Sequence, residues 1–433
     1  MAGTHCVVIG AGLAGLAAAF RLRQNGWTVE VLESDDKRIG GRVFTRRFDR
    51  PDRTPLVYEL GGEWIGDNHT RIKDLCSHFH LSLMDHRYSF AFWEKGVLSD
   101  TYEPGTSPFS ITSQRAFKEF SDRMKTYNEC ENKKLDKIDW WTKLRELGFS
   151  ERELDHRDLM DSTDFGESIR HTSAFVAATE YVFSNRFDEM DKKIVGGNDL
   201  LPDALAEAIN KDGKCIHLNS KVARVEQAKG RVVVTTHGGR QFVGDACICA
   251  VPASCLHKIH WHPPLPEDQR LAAEQLQYAR IMKTAVLFSE RLWPESKSGF
   301  SLFTNRASDF CFDSTLGQEG NERIICSYAI GDKADDLAEE TDHDLARWIA
   351  EDVSAALGKT NITGQFLHRK EWQRDECIGG AYAFYRPGQW FQVRSALQRP
   401  HGRVSFAGEH LSEAWQGFME GAIETGEAAA ESL

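Results

Sequence analysis

Three glycines near the start of the chain, Gly10, Gly12 and Gly15, have the spacing of an anion-binding turn. The first glycine permits a tight turn, the second lets the backbone approach a phosphate, and the third lets a helix pack closely on a strand. The positive end of that helix, which includes Ala14, would hold the anion. Glu33 lies about twenty residues after the turn, where a carboxylate can accept a hydrogen bond from a ribose hydroxyl. These residues predict a dinucleotide site.

A strand–helix–strand unit is needed to position these residues. The apolar run over residues 7–9 predicts a buried parallel strand, Leu13–Gln24 predicts a helix, and Thr28–Leu32 predicts a second strand that ends at Glu33. Because these elements and the carboxylate occur in the required order, a chance glycine turn explains the pattern poorly. The chain is therefore expected to begin with the βαβ unit of an α/β fold.

Length and composition narrow the class of protein. The 433 residues are enough for two domains with substantial cores, and 41% hydrophobic with 27% charged residues is typical of soluble globular proteins. The formal net charge of -12 argues against a nucleic-acid partner. No apolar run reaches the length of a membrane span, so no membrane contact is expected.

Cysteine and histidine usage points to a protein that works in a reducing compartment and has no metal site. The ten cysteines are scattered and form no CxxC pair, which favours reduced thiols in a cytoplasmic protein without a leader or a C-terminal anchor. His257, His260 and His262 lie close together, but no cysteine or carboxylate completes a ligand set at zinc-finger spacing. We therefore expect no bound metal.

Signals of the nucleotide-binding domain recur in three separated blocks. The first block closes with Gly-Gly-Glu-Trp at residues 61–64. The second contains alternating strands at residues 220–226 and 231–236, joined by a turn at 229–230, and then a buried strand at 245–251. The third contains a strand within residues 402–410 and a final helix from about 418 to 432.

Between these blocks lie two stretches of different character. Residues 86–193 are rich in helical patterns, with amphipathic helices over 115–147. Residues 284–385 mix strands at 284–288 and 323–329 with a helix at 341–357. We expect a discontinuous nucleotide-binding domain and an α+β substrate-binding domain. The first would comprise 1–85, 194–283 and 386–433, and the second 86–193 and 284–385.

An ordered set of motifs over nearly the whole chain resembles the flavin monoamine oxidase family, which includes monoamine, polyamine and L-amino-acid oxidases. The motifs are GAGLAGL, GGR, LGGEWIG, IVGGNDLL, a strand ending in CAVP, ARIMKTAVLF, EWxxxxxIGGAY, and FAGEH followed by WQGFMEGAIETGEAAA. The resemblance implies a Rossmann-like FAD-binding domain of the glutathione-reductase type. The GGR segment is not part of a nicotinamide fingerprint, which also favours FAD.

The resemblance implies roles for individual residues at the cofactor. Glu33 matches the family's ribose ligand, Arg42 after Gly41 its pyrophosphate contact, and Val222 the residue whose backbone holds the adenine. The helix N-terminus at the pyrimidine end of the flavin would stabilise the reduced anion through its dipole. Further FAD contacts in the same alignment are Gly61, Gly62, Glu63, Trp64, Gly408, Glu409, Gly417, Phe418 and Met419.

Four residues match the family's catalytic positions. Lys283 matches a lysine that holds a water near flavin N5, although a lysine at a strand end can also point to solvent. Its apolar neighbours favour the functional role, because a charge there needs a partner. Trp372, Tyr382 and Phe418 match substrate-side aromatics, and Tyr382 and Phe418 match the two rings that flank the flavin face. Outside these motifs such rings are usually core residues.

Three departures from the family pattern affect the interpretation. Ala381 stands where covalently flavinylated members have cysteine, so FAD is expected to be non-covalent. The spacing between Glu33 and the next glycines is one residue longer than usual, which leaves either Lys37 or Arg38 as the basic residue near the adenosine. Trp64 lies near the position of a carboxylate-binding arginine in snake-venom-type amino-acid oxidases, which disfavours that mode of binding.

The resemblance implies oxidative deamination of a small-molecule amine. The neutral amine would transfer a hydride from its α-carbon to flavin N5, and the imine would hydrolyse to a carbonyl compound and ammonia. Molecular oxygen would reoxidise the flavin to give hydrogen peroxide, assisted by the charge of Lys283. An aromatic pocket favours the neutral amine by desolvation, although ring quadrupoles attract the cation.

Alternatives remain open at this point. The same chemistry could act on an L-amino acid, with Arg386 or Arg186 as the carboxylate clamp. A flavin-dependent C–C desaturase would have less reason to keep the Tyr382 and Phe418 pair. A flavin-binding protein without turnover would have less reason to keep Lys283. The sequence allows a homodimer but does not indicate the oligomeric state.

Overall fold

The computed structural model describes residues 4–51, 53–183, 190–294 and 298–433. Its strands are β1 (His5–Ile9), β2 (Thr28–Leu32), β3 (Thr45–Arg50), β4 (Arg53–Glu59), β5 (Ile65–Gly66), β6 (Leu83–Asp85), β7 (Tyr88–Glu94), β8 (Val97–Leu98), β9 (Met190–Ile194), β10 (Ile216–His217), β11 (Val222–Ala228), β12 (Arg231–Thr236), β13 (Gln241–Gly244), β14 (Ala246–Cys249), β15 (His260–His262), β16 (Gln277–Tyr278), β17 (Ile281–Phe288), β18 (Gly299–Thr304), β19 (Phe310–Asp313), β20 (Arg323–Ile330), β21 (Gln365–Glu371), β22 (Ala383–Phe384) and β23 (Val404–Phe406). Its α-helices are α1 (Leu13–Gln24), α2 (Thr70–His78), α3 (Ile111–Met124), α4 (Glu129–Asp136), α5 (Trp140–Glu146), α6 (Glu151–Phe165), α7 (Ala174–Phe183), α8 (Leu200–Ile209), α9 (Glu267–Gln275), α10 (Asp332–Ala338), α11 (Asp342–Ala356), α12 (Ser395–Gln398) and α13 (Met419–Glu431).

A five-stranded parallel sheet, in the order β10-β2-β1-β14-β23, carries the glycine turn. Its central strand β1 is buried on both faces, because Val7 and Ile9 belong to one apolar cluster and Cys6 and Val8 to another. Helix α1 covers the second face and packs against α8 and α13. The predicted strand–helix–strand unit is confirmed, with α1 and β2 at the predicted bounds.

A seven-stranded sheet, in the order β21-β17-β20-β19-β18-β7-β8, forms the second large layer. It is antiparallel except for the β18–β7 pair. All eight residues of β17 are buried, so this strand lies in the interior. The strand predicted at 284–288 begins earlier, at Ile281, and Lys283 therefore lies within it.

A layer of helices from α3 to α7 packs beside these sheets. Its core includes Trp140, Trp141 and Phe165. The amphipathic pattern over 115–147 corresponds to α3, α4 and α5, and all three begin at capping side chains, Ser110, Asn128 and Asp139. The final helix, α13, confirms the helix that was predicted from about residue 418 to residue 432.

Smaller details differ from the sequence predictions. Strand β11 begins two residues later than predicted, and the turn that joins it to β12 has left-handed backbone at Lys229 and Gly230. The strands of the parallel sheet come from separated segments of the chain, whereas the two-domain boundaries stay a prediction. In the part of the chain that the structure describes, no helix is both long and apolar enough to cross a bilayer. The described residues likewise include no metal-ligating cluster of His, Cys, Asp or Glu.

Candidate active site

One cavity of about 650 Å³ joins the glycine turn to the interior strand β17. Of the predicted site residues, Gly15 and Val222 do not line it. Those that line it are Gly10, Gly12, Ala14, Glu33, Gly41, Arg42, Gly61, Gly62, Glu63, Trp64, Lys283, Trp372, Tyr382, Gly408, Glu409, Gly417, Phe418 and Met419. We call the part beside α1 the turn end and the part beside Lys283 the aromatic end.

The turn end is shaped mainly by backbone. Gly10 has a φ of +98°, which favours glycine, and its N–H donates to Leu32 O at 2.8 Å. Helix α1 begins after Gly12 without a side-chain hydrogen bond to its first N–H groups, although Leu13 and Ala14 face the cavity. Helix N-terminal N–H groups need partners, and a phosphate supplies them. This part of the structure therefore fits a dinucleotide.

Glu33 is fixed at the edge of the same end. It is 8% exposed, its Oε2 accepts from Ala11 N at 2.7 Å, and its Oε1 accepts from Asp35 N at 2.9 Å. Arg38 also lines the cavity and donates to Gly41 O at 2.7 Å, whereas Lys37 is exposed and lies outside the lining. Of the two candidate basic residues, Arg38 therefore lies at the turn end of the cavity, and its place beside the adenosine stays a prediction.

The two predicted residues outside the lining have different positions. Gly15 faces the turn, and a Cβ on it would lie 1.9 Å from Gly10 O, so it lets α1 pack against the turn. Val222 is buried in β11, where it pairs with Thr236. The structure does not bring the Val222 side chain into the cavity. Its predicted contact is a backbone contact, and that contact stays a prediction.

An ion pair between the half-buried Arg42 and the buried Glu409 connects the turn end to the aromatic residues. Arg42 Nη1 donates to Glu409 Oε1 at 2.7 Å. Burial lowers the Arg42 pKa, but the charge of Glu409, the neighbouring Tyr278 and the hydrogen bond to Glu409 together outweigh burial and raise the Arg42 pKa. Glu409 also accepts from Ala383 N at 3.1 Å and Gly417 N at 2.8 Å. Its carboxylate therefore fixes the segments that carry Tyr382 and Phe418.

Lys283 points into the cavity rather than to solvent. It is 2% exposed, and its Nζ donates to Glu63 Oε2 at 2.8 Å and to Gly61 O at 2.9 Å. The Nζ also lies 5.5 Å from the Trp64 ring centroid and 5.4 Å from that of Tyr328. A charged lysine at this depth requires such partners.

The Lys283–Glu63 pair is ionised in spite of its burial. Burial opposes the charge of Glu63, but Lys283 and a hydrogen bond from His86 lower the Glu63 pKa to about 2. Burial likewise opposes the charge of Lys283, and the charge of Glu63 raises the Lys283 pKa to about 12. His86 Nε2 lies 2.9 Å from Glu63 Oε1, and burial lowers the His86 pKa to about 4.

The three predicted aromatic residues have different surroundings at the aromatic end of the cavity. The Tyr382 ring packs on Gly417, where a Cβ would lie 3.1 Å from the ring, and its hydroxyl donates to Thr163 O. The Phe418 ring contacts His69 at 5.6 Å between centroids. Trp372 is 2% exposed and its indole donates to Leu60 O at 2.8 Å. Tyr382 and Phe418 both line the cavity, as does the more deeply anchored Trp372.

Some lining residues were missed from the sequence. Tyr328 is the register partner of Lys283 across β17 and β20 and lies 3.3 Å from the Tyr382 hydroxyl. Both strands were predicted, so their pairing could have indicated it. Arg87 and Asp164 carry no motif, and neither does His86, which lies outside the lining and hydrogen bonds Glu63. They approach the aromatic end through packing of segments that are distant in sequence.

Of the two arginines considered as carboxylate clamps, the structure describes only Arg386. Arg386 is exposed in a turn and does not line the cavity. Arg186 lies outside the described residues. Arg87 does line the cavity, with its side chain 51% exposed, and it pairs with Asp191.

Comparison with known proteins defines the class. The model of the flavin containing amine oxidoreductase family matches residues 13–433, so the chain belongs to this family. Membership confirms the predicted family and implies a flavin cofactor, which is FAD in this family.

Individual relatives are distant but extend over the whole chain. An L-amino acid dehydrogenase of Synechocystis sp. is 24% identical, covering 99% of this chain and 94% of that protein. Amine oxidase [flavin-containing] B of Homo sapiens is 25% identical, covering 99% and 85%. A putrescine oxidase structure with putrescine bound has a TM-score of 0.84 at 20% identity, covering 99% of this chain and 98% of that chain. The cyclohexylamine oxidase of Brevibacterium oxydans has a TM-score of 0.82 at 22% identity, covering 99% and 98%. These structures confirm the α/β fold class.

Proposed function

We propose that this protein oxidatively deaminates a small-molecule amine with non-covalently bound FAD and reduces molecular oxygen to hydrogen peroxide. The observation that carries the proposal is the single cavity that joins the glycine turn to Lys283, Tyr382 and Phe418. A dinucleotide held at the turn end would extend toward these side chains. Tyr382 and Phe418 would also contact the substrate.

The residues at the turn end would hold the adenosine and phosphates. Glu33 presents a fixed carboxylate, the N-terminus of α1 presents N–H groups without a capping side chain, and Arg42 contributes a half-buried positive charge. Ala381 also lines the cavity beside Tyr382, and its methyl group cannot form a thioether. Non-covalent FAD would remain in solution after acid precipitation of the protein, and FAD that precipitates with the protein would contradict this part of the proposal.

The aromatic end would bind the amine in its neutral form. The flavin, when bound, accepts the hydride from the amine α-carbon. Tyr382 and Phe418 would exclude water around the amine, and this desolvation lowers the amine pKa and favours the form that can release a hydride. The Tyr382 ring is held in place by its hydroxyl contact to Thr163 and by the lack of a side chain at Gly417.

The charges around the cavity favour an amine over an amino acid. In the described part of the chain, each lysine and arginine that lines the cavity has a carboxylate partner. These pairs are Arg38–Asp35, Arg42–Glu409, Arg87–Asp191 and Lys283–Glu63. A substrate carboxylate would have to displace one of these partners, at a cost in free energy that is largest at the buried Lys283–Glu63 pair. An alkylamine imposes no such cost.

An L-amino acid is the second candidate. Arg87 is half exposed at the cavity, so it could exchange Asp191 for a substrate carboxylate more easily than a buried cation could. The relative from Synechocystis sp. is named an L-amino acid dehydrogenase. In this case Arg87→Ala would abolish turnover of the amino acid. An amine substrate would be affected little, since it makes no contact with that guanidinium.

Anaerobic mixing of the purified protein with amines and L-amino acids tests the proposal. Loss of the oxidised flavin absorbance with amines, and recovery with hydrogen peroxide formation on admission of air, would support it. Bleaching by amino acids alone would favour the second candidate. A protein that bleaches with neither class, or that cannot be reconstituted with FAD, would contradict the proposal.

The cellular location is part of the same proposal. All ten cysteines are free thiols, and most are buried. Free thiols are typical of proteins that work in a reducing compartment. We therefore place the protein in the cytoplasm, which fractionation of cells that express it would test.

A further inference from the structure

The positive charge of Lys283 has a dedicated counter-charge inside the cavity. Glu63 Oε2 accepts the Nζ proton at 2.8 Å, and both residues line the cavity. Glu63 is 3% exposed, so little solvent screens the pair. Gly61 O accepts a second Nζ proton at 2.9 Å, which leaves the ammonium little freedom to move. The two residues therefore present almost no net charge to a bound molecule.

Neighbouring groups do not restore a positive charge at this place. His86 hydrogen bonds the other oxygen of Glu63 at 2.9 Å and is completely buried, where the neutral ring is favoured. Lys193 is buried behind the pair, and its Nζ donates to Ser314 O at 2.7 Å. Burial lowers the Lys193 pKa, whereas the neighbouring buried carboxylates Glu59 and Asp313 act in the other direction and favour its protonated form. The environment of Lys283 thus balances cations with carboxylates.

We propose that Glu63 is a positioning and charge-compensating residue that sets the electrostatic potential at the flavin by neutralising Lys283. The inference rests on the proposed function, because it requires a flavin at the aromatic end. A cation near the flavin ring stabilises negative charge that arrives on the ring, and a carboxylate destabilises it. With Glu63 in place, Lys283 acts as a fixed hydrogen-bond donor and contributes little net field.

Sulfite provides a probe that requires no substrate. Sulfite adds reversibly to oxidised flavin and bleaches it, and the product carries negative charge on the ring. Its dissociation constant is therefore sensitive to the local charge. The holoprotein would be titrated in mildly alkaline buffer, where both Glu63 and Lys283 keep their charges. The titration would use wild type, E63Q, K283M and the E63Q/K283M double variant.

The two single variants should shift sulfite binding in opposite directions. E63Q leaves an uncompensated cation and should tighten binding about tenfold or more, because a unit charge at this depth is weakly screened. K283M leaves an uncompensated carboxylate and should weaken binding about tenfold or more. The double variant removes both charges and should return to within roughly threefold of wild type.

A matched control is Asp352, a buried carboxylate that is 1% exposed, pairs with Arg306 and lies outside the cavity lining. D352N should leave sulfite affinity within roughly twofold of wild type. The flavin midpoint potential should follow the same order, highest in E63Q and lowest in K283M.

The inference is overturned if E63Q and K283M shift sulfite affinity in the same direction, or if E63Q leaves it unchanged. If E63Q does not fold, K283M and the double variant still test the inference. Removal of Glu63 from K283M must then restore the sulfite affinity that K283M loses. A protein without FAD would contradict the proposed function. A flavin-loaded protein that lacks the opposite shifts contradicts only this inference.

Discussion

The two ends of the cavity are built from different materials. At the turn end, one βαβ unit supplies backbone N–H groups and glycines, and Glu33 completes it from the same unit. At the aromatic end, side chains converge from segments far apart in the chain, as in the 220-residue separation of Glu63 and Lys283. We therefore expect the turn end to be sensitive to atoms added at Gly15, and the aromatic end to be sensitive to an unbalanced charge.

The largest effect is expected from breaking the charge balance at the aromatic end. Lys283→Met should destabilise the FAD-free protein by about 3–5 kcal/mol, because it leaves Glu63 as an unpaired buried carboxylate. The E63Q/K283M double variant should recover most of this loss. Urea unfolding of both single variants and the double variant measures these values. A double-variant loss equal to the sum of the two single losses would show that Glu63 and Lys283 are not coupled.

The buried carboxylate behind this end should make stability depend on pH. Burial raises the Glu59 pKa to about 7 from an ordinary value of 4.5, so the folded protein binds more protons than the unfolded chain between these values. Glu59 therefore destabilises the fold as pH rises through that range, by about 3 kcal/mol in total. Glu59→Gln removes the contribution.

The stability difference between Glu59→Gln and wild type should thus grow with pH over this range and level off above it. Thermal or urea unfolding at a series of pH values would measure it. A difference that stays constant with pH would mean that Glu59 titrates normally in the folded protein.

At the turn end, the disruptive substitution acts through steric overlap. Gly15→Ala should cost about 1–3 kcal/mol of stability and weaken FAD binding, since the new Cβ would lie 1.9 Å from Gly10 O. Gly238 provides the control, because a Cβ there would meet only Thr236 Oγ1 at 3.8 Å, and Gly238→Ala should change stability by less than about 0.5 kcal/mol. Similar effects of the two substitutions would contradict the tight packing of α1 on the turn.

The smallest effect is expected at Glu33. Glu33→Gln keeps the size of the side chain but presents an amide to donors such as Ala11 N, so FAD affinity should fall roughly tenfold, or about 1.4 kcal/mol. Fluorescence titration of the apoprotein with FAD measures it. Glu30 on the same strand does not line the cavity, and Glu30→Gln should leave FAD affinity unchanged.

What could be predicted from the sequence follows the same division. The turn end depends on local order, so β1, α1, β2 and Glu33 were all predictable from spacing. Lys283 was identified through its motif and apolar neighbours, but its partner was not, because the Glu63 contact arises only when two distant segments pack together. His86 and Arg87 carried no signal for the same reason. The side chain of Val222 lies in the core. Sequence spacing alone could not show this, because it does not distinguish a residue that contacts a ligand through its backbone from an ordinary buried strand residue.

The most direct test of the account is a crystal structure of the FAD complex with a slowly oxidised amine. The central claim is that one flavin cofactor occupies both ends of the cavity. It predicts the phosphates at Gly12 and Arg42 and the flavin ring beside Lys283, with the amine between Tyr382 and Phe418. A flavin ring outside the aromatic end, or an amine bound away from these two rings, would contradict it.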